Sequence, residues 1–309
     1  MQKPIVIVIC GPTASGKTAL SIELAKKING EIVSADSMQI YKDMNIGSAK
    51  VTKEEAQGIK HYLIDCVSPD ERYSVADYKR DATNAIQAIL QKGKIPIVVG
   101  GTGLYINSLI YEISYQDIEI DDVYRAELEK LKEEKGMPYL YEQALKIDPE
   151  AAQKISATDF KRVARILEIY HATGKTKTEQ ETESRLNENP YDYKVFAIDY
   201  DREKLYERIN RRVDIMWQNG LIQEVKGLLK KYKEMPTAMQ GTGYKEVKYY
   251  LDGKLTEREM LELIKQETRR YAKRQFTWFK KNKQTIWING QDEMSKNVKI
   301  IMEECHLDC

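Results

Sequence analysis

Cysteine is scarce in this chain of 309 residues: the four thiols are Cys10, Cys66, Cys305 and Cys309. They are too few and too scattered for a disulfide framework, and a reducing cytoplasm is the natural expectation. Cys305, His306 and Cys309 lie close together, but no second ligand pair with finger spacing accompanies them, so no metal site is expected there. Long apolar runs are missing as well. The longest, Ile5–Cys10, has six residues, far short of the roughly 20 that a membrane span needs. The first residues have neither the apolar core of a secretory signal nor an Arg-rich transit pattern. No charge sign dominates: 49 Lys and Arg stand against 48 Asp and Glu. Net charge therefore neither invites nor excludes a polyanionic partner, and local clusters must decide. Internal repeats and low-complexity tracts are also lacking. What is present is 42% apolar and 31% charged residues, which excludes a disordered or fibrous chain and, at this length, supports a real core.

The run Ile5–Cys10 is β-branched and apolar, as a buried parallel strand should be. A Gly-rich turn follows it. A helical period then runs over 18–28, with Leu20 and Leu24 on one face and Gly30 as the stop. Strand-like segments recur at 31–35, 61–66 and 95–99, and an amphipathic helix over 75–91 separates the last two. This alternation predicts an α/β fold, a parallel sheet flanked by helices with right-handed crossovers. Residues 117–190 carry only helical periods and charge, for example over 124–135 and 160–171, and read as an all-helical insertion. Strand composition returns at 195–199. The stretch 202–279 is mostly helical, with breaks near Pro236 and between Gly241 and Gly243. A late strand is expected at 286–288, and the final twenty residues carry little signal. The expected organisation is a core of residues 1–116 and 191–309 around an insertion at 117–190.

The strongest local motif is Gly11-Pro12-Thr13-Ala14-Ser15-Gly16-Lys17-Thr18, a full match to G-x-x-x-x-G-K-[ST] between a strand and a helix. Its glycines allow a turn whose N–H groups converge on one concavity, and the next helix adds the positive end of its dipole. Lys17 supplies a point charge, and the Thr18 hydroxyl is placed to ligate Mg²⁺. Such a loop binds a di- or triphosphate without saying which bond breaks. In an open sheet the ligand lies at the carboxyl ends of the strands. Two further strand ends therefore matter, Asp36-Ser37-Met38-Gln39 and Gly100-Gly101-Thr102. Asp36 is the best carboxylate for chemistry there, as a general base or through water on Mg²⁺. The bland alternative is a helix-capping Asp, and Asp65 and Asp199 are rival strand-end acids.

Cationic groups cluster late in the chain. The segment from Arg269 to Lys281 holds six basic residues and no acid, interleaved with Tyr271, Phe276, Trp278 and Phe279. Cations with planar rings suit RNA phosphates and unpaired bases, although a solvated basic helix edge has the same composition. Arg208 and Arg212 are four apart and share a helix face. They are suited to grip a diphosphate from the side opposite the loop.

Taken together, these pieces resemble one family, the tRNA dimethylallyltransferases, or tRNA isopentenyltransferases. The resemblance rests on Gly11 to Thr18, Asp36-Ser37-Met38-Gln39-Ile40-Tyr41, Gly100-Gly101-Thr102-Gly103-Leu104-Tyr105 and Arg162-Val163-Ala164-Arg165. It continues in Arg208-Ile209-Asn210-Arg211-Arg212-Val213, Gly243-Tyr244-Lys245-Glu246 and Ala272-Lys273-Arg274-Gln275-Phe276-Thr277-Trp278-Phe279. It implies a P-loop NTPase-like core of the bacterial type, monomeric and cytoplasmic. It also implies transfer of a dimethylallyl group from its diphosphate, with Mg²⁺, to N6 of the adenosine just 3′ of the anticodon in tRNA. Asp36 then matches the general base, and Thr102 and Arg125 match positions near the reacting centre. Contacts to the anticodon stem-loop are implied for Ser37, Met38, Gln39, Lys161, Arg162, Arg165, Gly243, Tyr244, Lys273, Arg274, Gln275 and Trp278. The target base must leave its stack to be reached. The rival readings are a small-molecule kinase, for which the basic aromatic segment is surplus, and a regulatory GTPase, for which no base-recognition motif is found.

Overall fold

A computed structural model describes residues 3–113, 121–184 and 188–307. The chain begins β1 (Ile5–Cys10), α1 (Lys17–Lys27), β2 (Gly30–Ser34), α2 (Lys53–Ala56), β3 (His61–Tyr62), α3 (Val75–Leu90), β4 (Ile95–Gly100) and α4 (Gly103–Ile110). It continues with α5 (Asp122–Ile147), α6 (Pro149–Gln153), α7 (Phe160–Thr173), α8 (Lys177–Ser184), β5 (Asp192–Asp199), α9 (Arg202–Gln218) and α10 (Leu221–Lys231). It ends with α11 (Tyr244–Leu251), α12 (Glu257–Phe279), β6 (Ile286–Asn289) and α13 (Met294–Glu304). The six strands form one parallel sheet in the order β3-β2-β4-β1-β5-β6. No helix among the described residues is long and apolar enough to cross a membrane.

Register explains where chemistry can gather. Cys10 pairs with Gly100 and with Ala197, and Ser34 pairs with Val99. The carboxyl ends of β1, β2 and β4 are therefore level, and the loops after them open on the same edge. The closeness is extreme at Gly100, where a Cβ would lie 2.1 Å from the carbonyl oxygen of Ala35. One sheet face buries Ile7, Ile9, Ile32, Ile97 and Phe196 against Leu20, Ile22 and Leu24 of α1 and against Val298, Ile301 and Met302 of α13. The residues after β2 are packed separately. Ile40, Tyr41 and Met44 sit among Leu221, Val225 and Leu228 of α10, Tyr244 and Val247 of α11 and Met260 and Ile264 of α12.

The chain divides into two compact units, Met1–Asn107 with Pro190–Cys309, and Ser108–Asn189. The boundaries fall at 108 and 189, against the 117 and 190 expected, because the last turn of α4 belongs with the helices that follow. Within the helical unit Leu128, Leu140, Val163, Ile166 and Leu167 form the core. Asp148 caps α6 through the Ala151 N–H at 3.0 Å and holds the Thr178 hydroxyl at 2.7 Å, which ties α8 to it. In α5, Gly136 leaves helical geometry at φ 81°, just before Pro138, as a residue without an N–H demands nearby.

Two expectations need correction. The strand expected at 61–66 stops at Tyr62, because Leu63 and Asp65 take positive φ of 60° and 55° and the chain turns back to meet Gln39 and Ile40. The last residues, which carry little signal, form α13.

Candidate active site

The loop between β1 and α1 has the backbone that its glycines allow. Gly11 and Gly16 have φ of 142° and 95°, and Ala14 also lies at 63°, so the turn holds left-handed geometry at three points. Lys17 is the first residue of α1 and folds back, its Nζ donating to the Pro12 carbonyl at 2.6 Å. Removal from water, together with the nearby Arg212, pushes its pKa down to about 8, while Asp36 pulls the other way. α9 lays two guanidiniums on the outside of the loop. Arg208 Nε donates to the Ala14 carbonyl at 2.7 Å, and Arg212 reaches the Thr13 hydroxyl at 3.5 Å.

Asp36 stands two residues past β2. Its Oδ1 accepts the Met38 and Gln39 N–H groups at 2.9 and 3.3 Å, a turn that fixes the carboxylate. Thr102 is tied to the same turn from β4. Its Oγ1 accepts the Ser37 N–H at 3.0 Å and its own N–H donates to the Ala35 carbonyl at 3.1 Å. The rival acids are engaged elsewhere: Asp65 pairs with Lys50, and Asp199 lines a separate cavity beside Tyr200 and Phe276.

Three cavities with lining residues in common surround these groups. A central one of about 80 Å³ is lined by Lys17, Thr18, Asp36, Gly101, Tyr271 and Gln275. A groove of about 710 Å³ shares Lys17, Thr18 and Arg212 with it and is also bordered by Arg208 and Arg211. A third cavity of about 300 Å³ shares Asp36 and Tyr271 with the central one and is also bordered by Ser37, Met38, Gly243 and Arg274. Arg212 borders all three. Residues of the phosphate loop and a carboxylate thus line one cavity. The Thr18 side chain is exposed to it, and no group of three or more His, Cys, Asp or Glu suited to a metal occurs among the described residues. A Mg²⁺ here fits a single hydroxyl completed by phosphate oxygens and water, its usual coordination beside phosphates.

With that geometry in hand, comparison with known proteins gives a direct result. The family described as IPPT, IPP transferase, matches residues 39–282. The chain belongs to this family. A tRNA dimethylallyltransferase of Acetivibrio thermocellus is 53% identical over 297 residues, covering 96% of this chain and 95% of the relative. One from Caldanaerobacter subterraneus is 51% identical, over 89% of this chain and 88% of its own. Among solved structures, the tRNA isopentenylpyrophosphate transferase of Bacillus halodurans is 40% identical with a TM-score of 0.74, covering 99% of this chain and 96% of its own. A eukaryotic dimethylallyltransferase acting on tRNA is 32% identical with a TM-score of 0.82, over 98% of this chain and 79% of its own.

Within this member of the family the sequence-predicted residues divide. The loop residues, Asp36, Thr102, Arg208 and Arg212 come together as described. Lys273 and Arg274 are exposed on α12, and Trp278 lies against Gly103, where a Cβ would meet the indole at 2.2 Å. Met38 lies under Gly241, whose Cβ would meet the Met38 sulfur at 2.5 Å. Lys161, Arg162 and Arg165 are on the exposed side of α7 in the helical unit. Arg125 belongs to that unit too, where both its Nε and Nη2 engage the buried Glu168, the latter at 3.1 Å.

Two residues expected on the tRNA side are spent internally. Tyr244 is fully buried; its hydroxyl donates to Glu224 at 2.8 Å and accepts the Ser48 N–H at 3.1 Å. Glu224 takes the N–H groups of Asn45, Ile46 and Gly47, so the pair clamps the segment after Asp36. Gln275 is buried between Thr13 and Gly101. Tyr271, singled out in the sequence only as one of the aromatics of the basic segment, lines the central cavity. Burial, with Asp36 adding to it, pushes its phenol up to about 12, against hydrogen bonds from Thr102 and Gln275. The signal was available: Ile264, Thr268, Tyr271 and Gln275 recur at three and four residues, one face of a helix.

Proposed function

We propose that this chain transfers a dimethylallyl group from dimethylallyl diphosphate to N6 of the adenosine just 3′ of the anticodon of tRNA. The observation that carries the reading is the shared cavity, whose lining brings Lys17, Thr18 and Asp36 together. The loop N–H groups and Lys17 hold the diphosphate, and Arg208 and Arg212 approach from α9. As the allylic C–O bond breaks, the bonding pair leaves with the diphosphate, and these cations take up the growing charge. Held by the Thr18 hydroxyl and the donor's oxygens, Mg²⁺ would spread that charge further.

An exocyclic amine is a weak nucleophile and must lose a proton as its bond to carbon forms. Asp36 accepts that proton. The Met38 and Gln39 N–H groups occupy Oδ1, which leaves Oδ2 to meet N6. Thr102 holds the turn from behind through Ser37. The adenine enters from the side bordered by Met38, Gly243 and Arg274, unstacked at a cost of a few kcal/mol. Lys273, Arg274 and Trp278 on α12 grip the anticodon stem-loop, as do Lys161, Arg162 and Arg165 in the helical unit. Arg125, held by Glu168 within the helical unit, matches a family position assigned near the reacting centre. One chain in the cytoplasm suffices, since all these groups belong to it. The test is incubation with unmodified tRNA, Mg²⁺ and radiolabelled dimethylallyl diphosphate, followed by nucleoside analysis. Label on N6 of that adenosine is expected. Release of ADP from ATP with no labelled adenosine would overturn the proposal in favour of a kinase.

A further inference from the structure

Among the residues that α12 buries, Gln275 is the only polar one. Both ends of its carboxamide are used. Oε1 accepts the Thr13 N–H at 2.8 Å, and Nε2 donates to the Gly101 carbonyl at 2.9 Å. Glycine at 101 is what lets the amide come so near, since a Cβ there would lie 2.2 Å from Nε2. Thr13 is the third residue of the phosphate loop, and in such loops the main-chain N–H groups do the holding. One of them is therefore already taken by protein. The same carboxamide forms part of the wall of the central cavity, with Lys17, Thr18, Asp36 and Tyr271.

We infer that Gln275 sets the length of anion that the loop accepts, fitting it to a diphosphate and closing it to a triphosphate. Alkyl transfer needs a carbon atom, not a further phosphoryl group, between the leaving diphosphate and the acceptor. A bare Thr13 N–H would attract one more phosphate oxygen into that space, since an N–H bonded to an anion is among the stronger hydrogen bonds. Capped by a neutral amide that is itself satisfied at both ends, it attracts none. Gln275 is thus a positioning residue that works through the loop backbone and touches no reacting atom. The inference rests on the proposed function, in which the loop holds the donor's diphosphate.

The experiment measures binding of inorganic pyrophosphate and inorganic tripolyphosphate to the full chain by calorimetry at fixed free Mg²⁺. The parent is expected to favour pyrophosphate. Gln275→Ala uncovers the Thr13 N–H and should lower that preference about tenfold, the worth of one modest hydrogen bond. Gln275→Glu keeps an acceptor on Thr13 while losing the bond to Gly101, and should hold the preference at the parent value or above. If Gln275→Ala fails to fold, Gln275→Asn, too short to span both partners, takes its place with the same expected fall. An unchanged preference in the shortened variant, or an equal fall in Gln275→Glu, overturns the inference. A parent that binds pyrophosphate without preference overturns it alone; a parent that binds neither anion also overturns the proposed function.

Discussion

Two acids five residues apart, Glu31 on β2 and Asp36 just beyond it, stand in contrasting surroundings, and the proposed function gives chemistry to the second alone. Glu31 is 5% exposed and surrounded by donors: Lys94 at 2.8 Å, Lys92 at 2.9 Å and the Tyr62 hydroxyl at 2.8 Å. Burial alone would raise its pKa, but these three bonds overcome it and bring it down to about 2. Asp36 is held by two main-chain N–H groups on a single oxygen and borders two cavities. The lesson is one of saturation. An acid whose lone pairs are all spoken for can only support the fold, and an acid held on one side can still take a proton.

The largest test of that contrast is Asp36→Ala. We expect prenyl transfer to fall about 10²–10⁴-fold, with tRNA affinity and thermal midpoint close to the parent. Transfer at the parent rate would break the comparison. Glu31→Gln should do the opposite, leaving kcat alone and costing about 3 kcal/mol of stability near neutral pH, as a shift from 4.5 to about 2 implies. Because the folded pKa is depressed, that stability is complete above about pH 4.5 and is lost as pH falls through about 2. Acid unfolding curves of the two proteins should therefore converge only below about pH 2. On the phosphate side, Lys17 loses its charge as pH rises through about 8. Pyrophosphate affinity should drop about tenfold from pH 7 to pH 9, read by calorimetry. The smallest effect is expected at the clamp. Tyr244→Phe leaves the Ser48 N–H without its acceptor and should cost about 1–2 kcal/mol in denaturant unfolding.

Legibility in the sequence followed the range of the interactions. The phosphate loop was readable because its spacing and its flanking strand and helix are local, and Asp36 because a strand end in a parallel sheet is already a place for ligands. Arg208 and Arg212 were readable from their spacing of four. Gln275 and Tyr244 were expected at the tRNA from the family motifs that hold them, and those motifs say nothing of their internal bonds: Gln275 reaches a loop 262 residues away and Tyr244 a loop 196 residues away. Composition cannot report such distances. α13 was missed although Val298, Ile301, Met302 and Cys305 recur at three- and four-residue steps, because no side chain caps its start and the usual start signal is lacking.

That overlooked helix has a practical meaning. Val298, Ile301, Met302 and Cys305 share a core with Leu20, Ile22, Leu24 and Ala25, so they brace the rod whose first residue is Lys17. A premature stop codon after Gly290 would take from the groove beside the phosphate loop a single lining residue, Met294. It would also strip the backing from the helix that begins with Lys17, and the damage would be felt at the opposite terminus of the polypeptide.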